Sequence, residues 1–198
     1  MCQLLETIKL EHGLFWNLDY HSRRLNAARA ELFDLFEPID LTNSLLVPAG
    51  CQTGLYRCRV SYSREIESVE FIPQHPREFS ALKVIEANDL DYHLKFADRN
   101  ELNKLLDQRE NADEVIVLQH GLVTDCTIAN LVFYDGRHWL TPDTPLLKGT
   151  QRQRLLDLGL IFETRITATN LHQYEKVGLI NAFFDLNNMP IIKKENIF

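Results

Sequence analysis

The sequence is poor in cysteine, and its four cysteines are not arranged for metal or disulfide chemistry. Cys2, Cys51, Cys58 and Cys126 form no CxxC pair and have no histidine at zinc spacing. They read as buried thiols, and no metal site is expected. Long apolar runs are also missing, which excludes a transmembrane helix. The opening MCQLLETIKLEHG places Glu6 and Lys9 where a signal peptide needs its apolar core. The chain therefore reads as cytoplasmic, without a membrane partner. Positive charge is scarce, with 21 basic against 28 acidic residues and a net charge of −7. That balance disfavours nucleic acid as a partner. No repeat or low-complexity tract occurs. What remains is ordinary globular composition, 45% hydrophobic and 25% charged over 198 residues. It suits one compact domain or two small lobes.

Gln3 to Lys9 has strand-type residues, and His12-Gly13 turns it into Leu14-Phe15-Trp16, a hairpin. Leu18, His21, Leu25, Ala28, Leu32 and Leu35 then fall on one helical face, which Asn17 or Asp19 could cap. A short helix over Leu41 to Leu46 and strands over Leu55 to Ser63 and Glu67 to Phe71 follow. Pro73-Gln-His-Pro76-Arg reads as the linker between two lobes, 1–76 and 77–198. The second half offers strands at Ala81 to Glu86, Glu114 to Gln119, Asn130 to Tyr134, Phe162 to Ile166 and Val177 to Phe183. Helices are expected over Asp98 to Gln108 and from Gly149-Thr150 to Gly159. Strands outnumber helices without regular alternation, so the fold class is α+β rather than a doubly wound parallel sheet.

Five features carry chemistry. Leu147-Lys-Gly149-Thr150-Gln151 opens a helix, where backbone N–H groups and the helix dipole favour an anion such as phosphate; an ordinary capped surface helix would look the same. Lys95, one of eight lysines, lies at an element boundary suited to a Schiff base, or simply to solvation. Asp125 is expected between two strands, as partner of a heterocyclic nitrogen or as an Asx turn. Arg57 and Arg59 share one face of a strand and suit a substrate carboxylate, or the wet side of an edge strand. His21 lies on the apolar stripe, with Arg24 one turn on. Taken together, a phosphate cup, a lysine, an acid and an arginine are the parts of a pyridoxal-phosphate site.

Their order resembles the fold-type IV pyridoxal-phosphate enzymes, the group of branched-chain and D-amino-acid aminotransferases and aminodeoxychorismate lyases. Leu5-Glu6-Thr7-Ile8-Lys9 resembles the FETIR strand, and His21-Ser-Arg-Arg24-Leu25 the HxxRL helix. The segment from Ala112 to Phe133 resembles ADEALLLDxxGxVTExxxxNLF, and Leu147 to Arg152 is similar to the LPGITR cup. Ile180-Asn181-Ala182 with Met189-Pro190 resembles a late NAL…MPV strand.

The resemblance implies a D-amino-acid aminotransferase-like fold, with a small α/β sandwich lobe and a larger β-rich pseudobarrel lobe. It implies pyridoxal 5′-phosphate as cofactor, a small amino compound as substrate, and a homodimer. Lys95 would carry the internal aldimine and then act as base, and Asp125 would partner the pyridine nitrogen. Arg24, Leu147, Gly149, Thr150 and Gln151 would hold the phosphate, while Lys9, Arg57 and Arg59 would face the substrate. The chain departs from the family in four places. Relatives carry a preceding strand and loop, glutamate replaces Asp125, and proline and threonine replace Lys148 and Gln151. Two extra residues precede Pro190. Transamination is the leading reading and pyruvate elimination the second. A binding protein without turnover is the third.

Overall fold

The computed structural model describes residues 2–75 and 77–198, so Pro76 of the expected linker lies outside the described residues. The chain divides into two compact units, Met1–Pro76 with Leu94–Asp98, and Arg77–His93 with Arg99–Phe198.

The first unit is built on a four-stranded antiparallel sheet. Strand β1 (Leu4–Glu11) alternates, and Leu4, Glu6, Ile8 and Leu10 are buried on one face. His12 and Gly13 have φ of 50° and 76° and turn β1 into β2 (Leu14–Phe15). Positive φ at both central residues is what a type I′ hairpin requires. β3 (Leu55–Tyr62) pairs along the whole of β1, and β4 (Ile66–Pro73) completes the order β2-β1-β3-β4. Helix α1 (Leu18–Phe33) sets Leu25 and Ala28 in one cluster with Leu4, Ile8, Cys58, Val60 and Tyr62. Each fully buried leucine there contributes roughly 2 kcal/mol. The stripe stops short of its expected length. Asp34 adopts a left-handed conformation that closes the helix, leaving Leu35 beyond it, and Leu32 is exposed. α2 (Leu41–Ser44) adds Leu41 to the core. Leu94–Asp98, expected in the larger lobe, belongs to this unit. Phe96 bridges to Leu4, the Leu5 N–H donates to the Lys95 carbonyl at 2.9 Å, and the Ala97 N–H donates to the Gln3 carbonyl at 2.8 Å.

The second unit contains β5 (Leu82–Glu86), α3 (Asn100–Asp107), β6 (Glu114–Gln119), β7 (Leu122–Cys126), β8 (Asn130–Tyr134), β9 (Trp139–Pro142), α4 (Thr150–Asp157), β10 (Phe162–Thr164), β11 (Lys176–Ile180) and β12 (Ile191–Lys193). β5 and β6 are parallel, and a second His-Gly turn, at His120-Gly121, joins β6 to β7. β8 pairs with β11 over its full length, and it also meets β7 at Asn130 and β9 at Phe133 and Tyr134. β12 lies beyond β11. The C-terminal residues return to β5, through a Leu82–Ile197 bridge and the Val84 N–H to the Phe198 carbonyl at 2.6 Å. The sheet is thereby curled almost into a ring, around Leu82, Ile116, Leu131, Phe133, Val177 and Leu179. The α+β class therefore holds. Strands β7, β9 and β12 were not assigned from the sequence, although the Asp135-Gly136 hairpin signal marks the β8–β9 turn. Of the cysteines, Cys51, Cys58 and Cys126 are buried, but Cys2 is exposed, contrary to expectation. No helix among the described residues is long and apolar enough to cross a membrane.

Candidate active site

In the first unit, β1 buries Glu6 and α1 buries His21 and Arg29, and Glu6 and His21 meet. Glu6 is fully buried, and His21 nearly so. The Glu6 carboxylate accepts His21 Nδ1–H at 2.5 Å, and it accepts Arg24 Nε–H at 2.9 Å and Nη2–H at 2.6 Å. The guanidinium thus grips the carboxylate as a two-pronged fork. Burial alone would raise the Glu6 carboxyl, but Arg24 and His21 outweigh it and hold it down at about 2. Burial lowers His21 below the ordinary imidazole value. The Glu6 hydrogen bond opposes this, and the positive charges of Arg24 and Lys95 add to it. Lys95, expected from the sequence, belongs to this unit too. It is half-buried, and its backbone is fixed to β1 through Leu5. The sequence reading gave Glu6 no role in a site. Its signal was available, a carboxylate in phase with Leu4, Ile8 and Leu10.

The three candidate substrate cations also fall in this unit, on the opposite face of the sheet. Lys9 sits across from Arg57 and Thr7 across from Arg59 in the β1–β3 register, out of phase with Glu6. Lys9 pairs with Glu11 at 2.8 Å and lies over the Trp16 ring. Arg57 donates to Gln74 Oε1 at 2.7 Å, and Arg59 faces Glu70 at 3.7 Å.

In the second unit, Asp125 is not in a loop between strands but in β7, directly opposite Asn130 of β8. The backbone follows the ladder because Val123 and Cys126 fill the core on either side. The carboxylate is 4% exposed. Its Oδ1 accepts from Asn130 Nδ2 at 2.7 Å, and its Oδ2 accepts the Leu147 N–H at 2.8 Å. Asn130 Nδ2 also donates to the Leu147 carbonyl at 2.8 Å. Burial raises the Asp125 carboxyl to about 6, against the lowering effect of Leu147, Asn130 and Arg152. From Leu147 the chain passes Gly149 into α4. A Cβ on Gly149 would stand 1.9 Å from Asn130 Oδ1, so only glycine fits there. Thr150, Gln151 and Arg152 form the buried first turn of α4. The Arg152 guanidinium is built into the scaffold, donating to the Pro142 carbonyl at 2.8 Å and to Glu163 at 2.6 Å. Asn130 was read from the sequence only as a strand residue. Its role depends on register, which is not local information. No group of three His, Cys, Asp or Glu side chains among the described residues could hold a metal ion.

Within the second unit, a curled mixed sheet holds a buried acid beside a helix start, an α+β scaffold suited to an anionic cofactor. Residues 3–188 match the amino-transferase class IV family, and the chain belongs to that family. An uncharacterized protein of Haemophilus influenzae is 35% identical over 190 residues, 92% of this chain and 98% of that one. The crystal structure of a protein of Haemophilus somnus 129PT, provisionally named a 4-amino-4-deoxychorismate lyase, is 37% identical with a TM-score of 0.87, over 92% of this chain and 96% of that one. A hypothetical aminotransferase of Mycobacterium tuberculosis in its pyridoxal-phosphate-bound form shares the fold, with a TM-score of 0.76 at 19% identity, over 96% and 80% of the two chains.

Pyridoxal phosphate is the cofactor of this enzyme family. The donor sets here suit that group in kind. A helix start with a threonine hydroxyl suits a phosphate dianion, a primary amine suits an aldehyde, and a buried acid suits a pyridine nitrogen.

Proposed function

We propose that the chain is a pyridoxal-phosphate-dependent enzyme acting on a small amino acid, aminotransferase-like, with Lys95 as cofactor anchor and proton-transfer base. One observation carries this reading. Within a chain that belongs to the amino-transferase class IV family, Lys95 is pinned to β1 by its own carbonyl, and its positive charge acts on His21 of the Glu6–His21–Arg24 cluster. The cofactor, when bound, supplies an electron sink for the carbanion at the substrate α-carbon. Lys95 Nζ takes the α-proton and returns one. Arg24, Gly149, Thr150 and Gln151 hold the phosphate, and Asp125 supplies the acid near the ring. The protein acts in the cytoplasm as a homodimer.

A second reading, elimination of pyruvate from aminodeoxychorismate, is favoured by two relatives. One is the Haemophilus somnus protein. The other is a protein of Schizosaccharomyces pombe, also provisionally an aminodeoxychorismate lyase, 38% identical over 82 residues, which is 38% of this chain and 36% of that one. A pyruvate-release assay on aminodeoxychorismate, run beside a panel of amino acids with 2-oxoglutarate, separates the two. Amino-group transfer to 2-oxoglutarate supports the first reading. Pyruvate release without transfer replaces it with the second. Turnover of neither substrate set refutes both.

A further inference from the structure

Lys95 lies in a short segment, Leu94–Asp98, that is bonded to β1 and the residue before it, at Gln3, Leu4 and Leu5. The residues that flank this segment in sequence are joined to each other within the second unit. Tyr92 is buried, and the Arg99 guanidinium lies over its ring, 5.9 Å from the centroid, with Nη1 3.5 Å from the hydroxyl. Arg99 Nη2 donates to the carbonyl of Thr127 at 2.7 Å, in the turn between β7 and β8. That turn is anchored in its own right. Thr127 is buried, and its hydroxyl donates to the Glu114 carboxylate, 2.9 Å from each oxygen. Glu114 is buried at the start of β6. Arg99 also stands at the N-terminal boundary of α3. One planar side chain thus closes the stem of the Lys95 segment and ties it to a helix start and a strand turn.

We propose that Arg99 is a positioning residue for Lys95, stapling the two ends of the segment that carries it. This rests on the reading of Lys95 as cofactor anchor and deepens it. A lysine reaches its reaction partner on a flexible four-carbon stem, so capture depends on where the backbone holds that stem. A reacting side chain is held in place by the packing and hydrogen bonds of the residues behind it. Lysine in place of Arg99 would keep the charge, but it has no rigid plane with which to stack on Tyr92 and reach Thr127 at once.

The test compares two ligands that differ only at the reacting carbon. Pyridoxal phosphate carries the aldehyde that Lys95 captures, and pyridoxamine phosphate carries an amine there. Both are titrated into cofactor-free wild type, Arg99→Ala and Arg99→Lys, by absorbance for the first ligand and by calorimetry for the second. Thermal unfolding confirms that each protein is folded, and Arg99→Lys gives a result even if Arg99→Ala does not fold. We expect pyridoxal phosphate to bind about tenfold more weakly in both variants, and pyridoxamine phosphate to change by less than about twofold. Amide exchange in the cofactor-free variants should quicken about tenfold over residues 94–98 and stay as in wild type over β6.

A role in general stability would weaken both ligands alike, and a role through charge alone would leave Arg99→Lys like wild type. Either result overturns the proposal, as does exchange over residues 94–98 that is unchanged in both variants. If wild type forms no adduct at Lys95, the anchor reading fails and takes this proposal with it.

Discussion

The two units each bury a carboxylate in a β-strand, and the two carboxylates end in opposite electrostatic states. Glu6 is fully buried and Asp125 is 4% exposed, so depth does not separate them. Their partners do. Glu6 receives the two-pronged Arg24 guanidinium together with His21 and is held at about 2. Asp125 receives two neutral amide donors and a weaker pull from Arg152, and it is raised to about 6. A neutral hydrogen bond satisfies an oxygen but does not offset the desolvation of a full charge, whereas the paired Arg24 guanidinium outweighs it at Glu6. The first carboxylate is a fixed charge that holds a cluster together. The second can change charge in the physiological range.

The largest test of that contrast is Glu6→Gln. It strips the counter-charge from the half-buried Arg24 and the buried partner from His21, and stability should fall by about 3 kcal/mol, read as the urea midpoint. Asp125→Asn, made in parallel, leaves no charge unpaired but turns one accepting oxygen into a donor facing Asn130 Nδ2 or the Leu147 N–H, and it should cost about 1–2 kcal/mol. Equal losses from the two would erase the distinction.

Gly149→Ala comes next, at about 2 kcal/mol, because the new Cβ would overlap Asn130 Oδ1 and Asn130 or the α4 start must move. Its check is a thermal melt with Asn130→Ser in the same background, where the loss should shrink once the amide is removed.

The pH dependence of the cofactor-free protein spreads its effect over roughly two or more pH units, and the two carboxylates should give opposite signs. Glu6 is lowered from its ordinary 4.5, so its stabilisation is present above that value and is lost as pH falls toward about 2. Asp125 is raised from 3.8, so its contribution is greatest at low pH and is lost as pH rises through about 6. A urea series should therefore show that Asp125→Asn removes a decline of up to about 1 kcal/mol per pH unit between pH 4 and 6. Glu6→Gln should flatten the acid limb below about pH 4.5 instead. A common shift of both limbs in either variant would contradict the assignment.

The contrast also explains what the sequence made legible. Hairpin turns are local, and both His-Gly pairs could be read directly, as could the α1 stripe through Ala28 and the β6 run. The end of α1 could not, because Leu32 and Leu35 continue the period while Asp34 breaks the backbone. The short strands β9 and β12 exist only through their partners, and four or three residues of either carry no periodicity of their own. Leu94–Asp98 joined the first unit through bonds to Gln3 and Leu5, some ninety residues away, which no linker signal reveals. At the site, residue types were legible and pairings were not. Lys95, Arg24, Asp125 and Gly149 stood out by kind and order. That Arg24 grips Glu6, and that Asp125 clamps Leu147 with Asn130, depends on strand register and helix placement.

The central claim is that Lys95 anchors pyridoxal phosphate. The most direct measurement is the absorption spectrum of the protein purified with added pyridoxal phosphate, before and after borohydride, with Lys95→Ala beside it and the labelled peptide identified by mass. The account predicts a visible band in wild type that reduction locks onto the peptide containing Lys95, and no such adduct in the variant. No band in wild type, or the same adduct in Lys95→Ala, would contradict it.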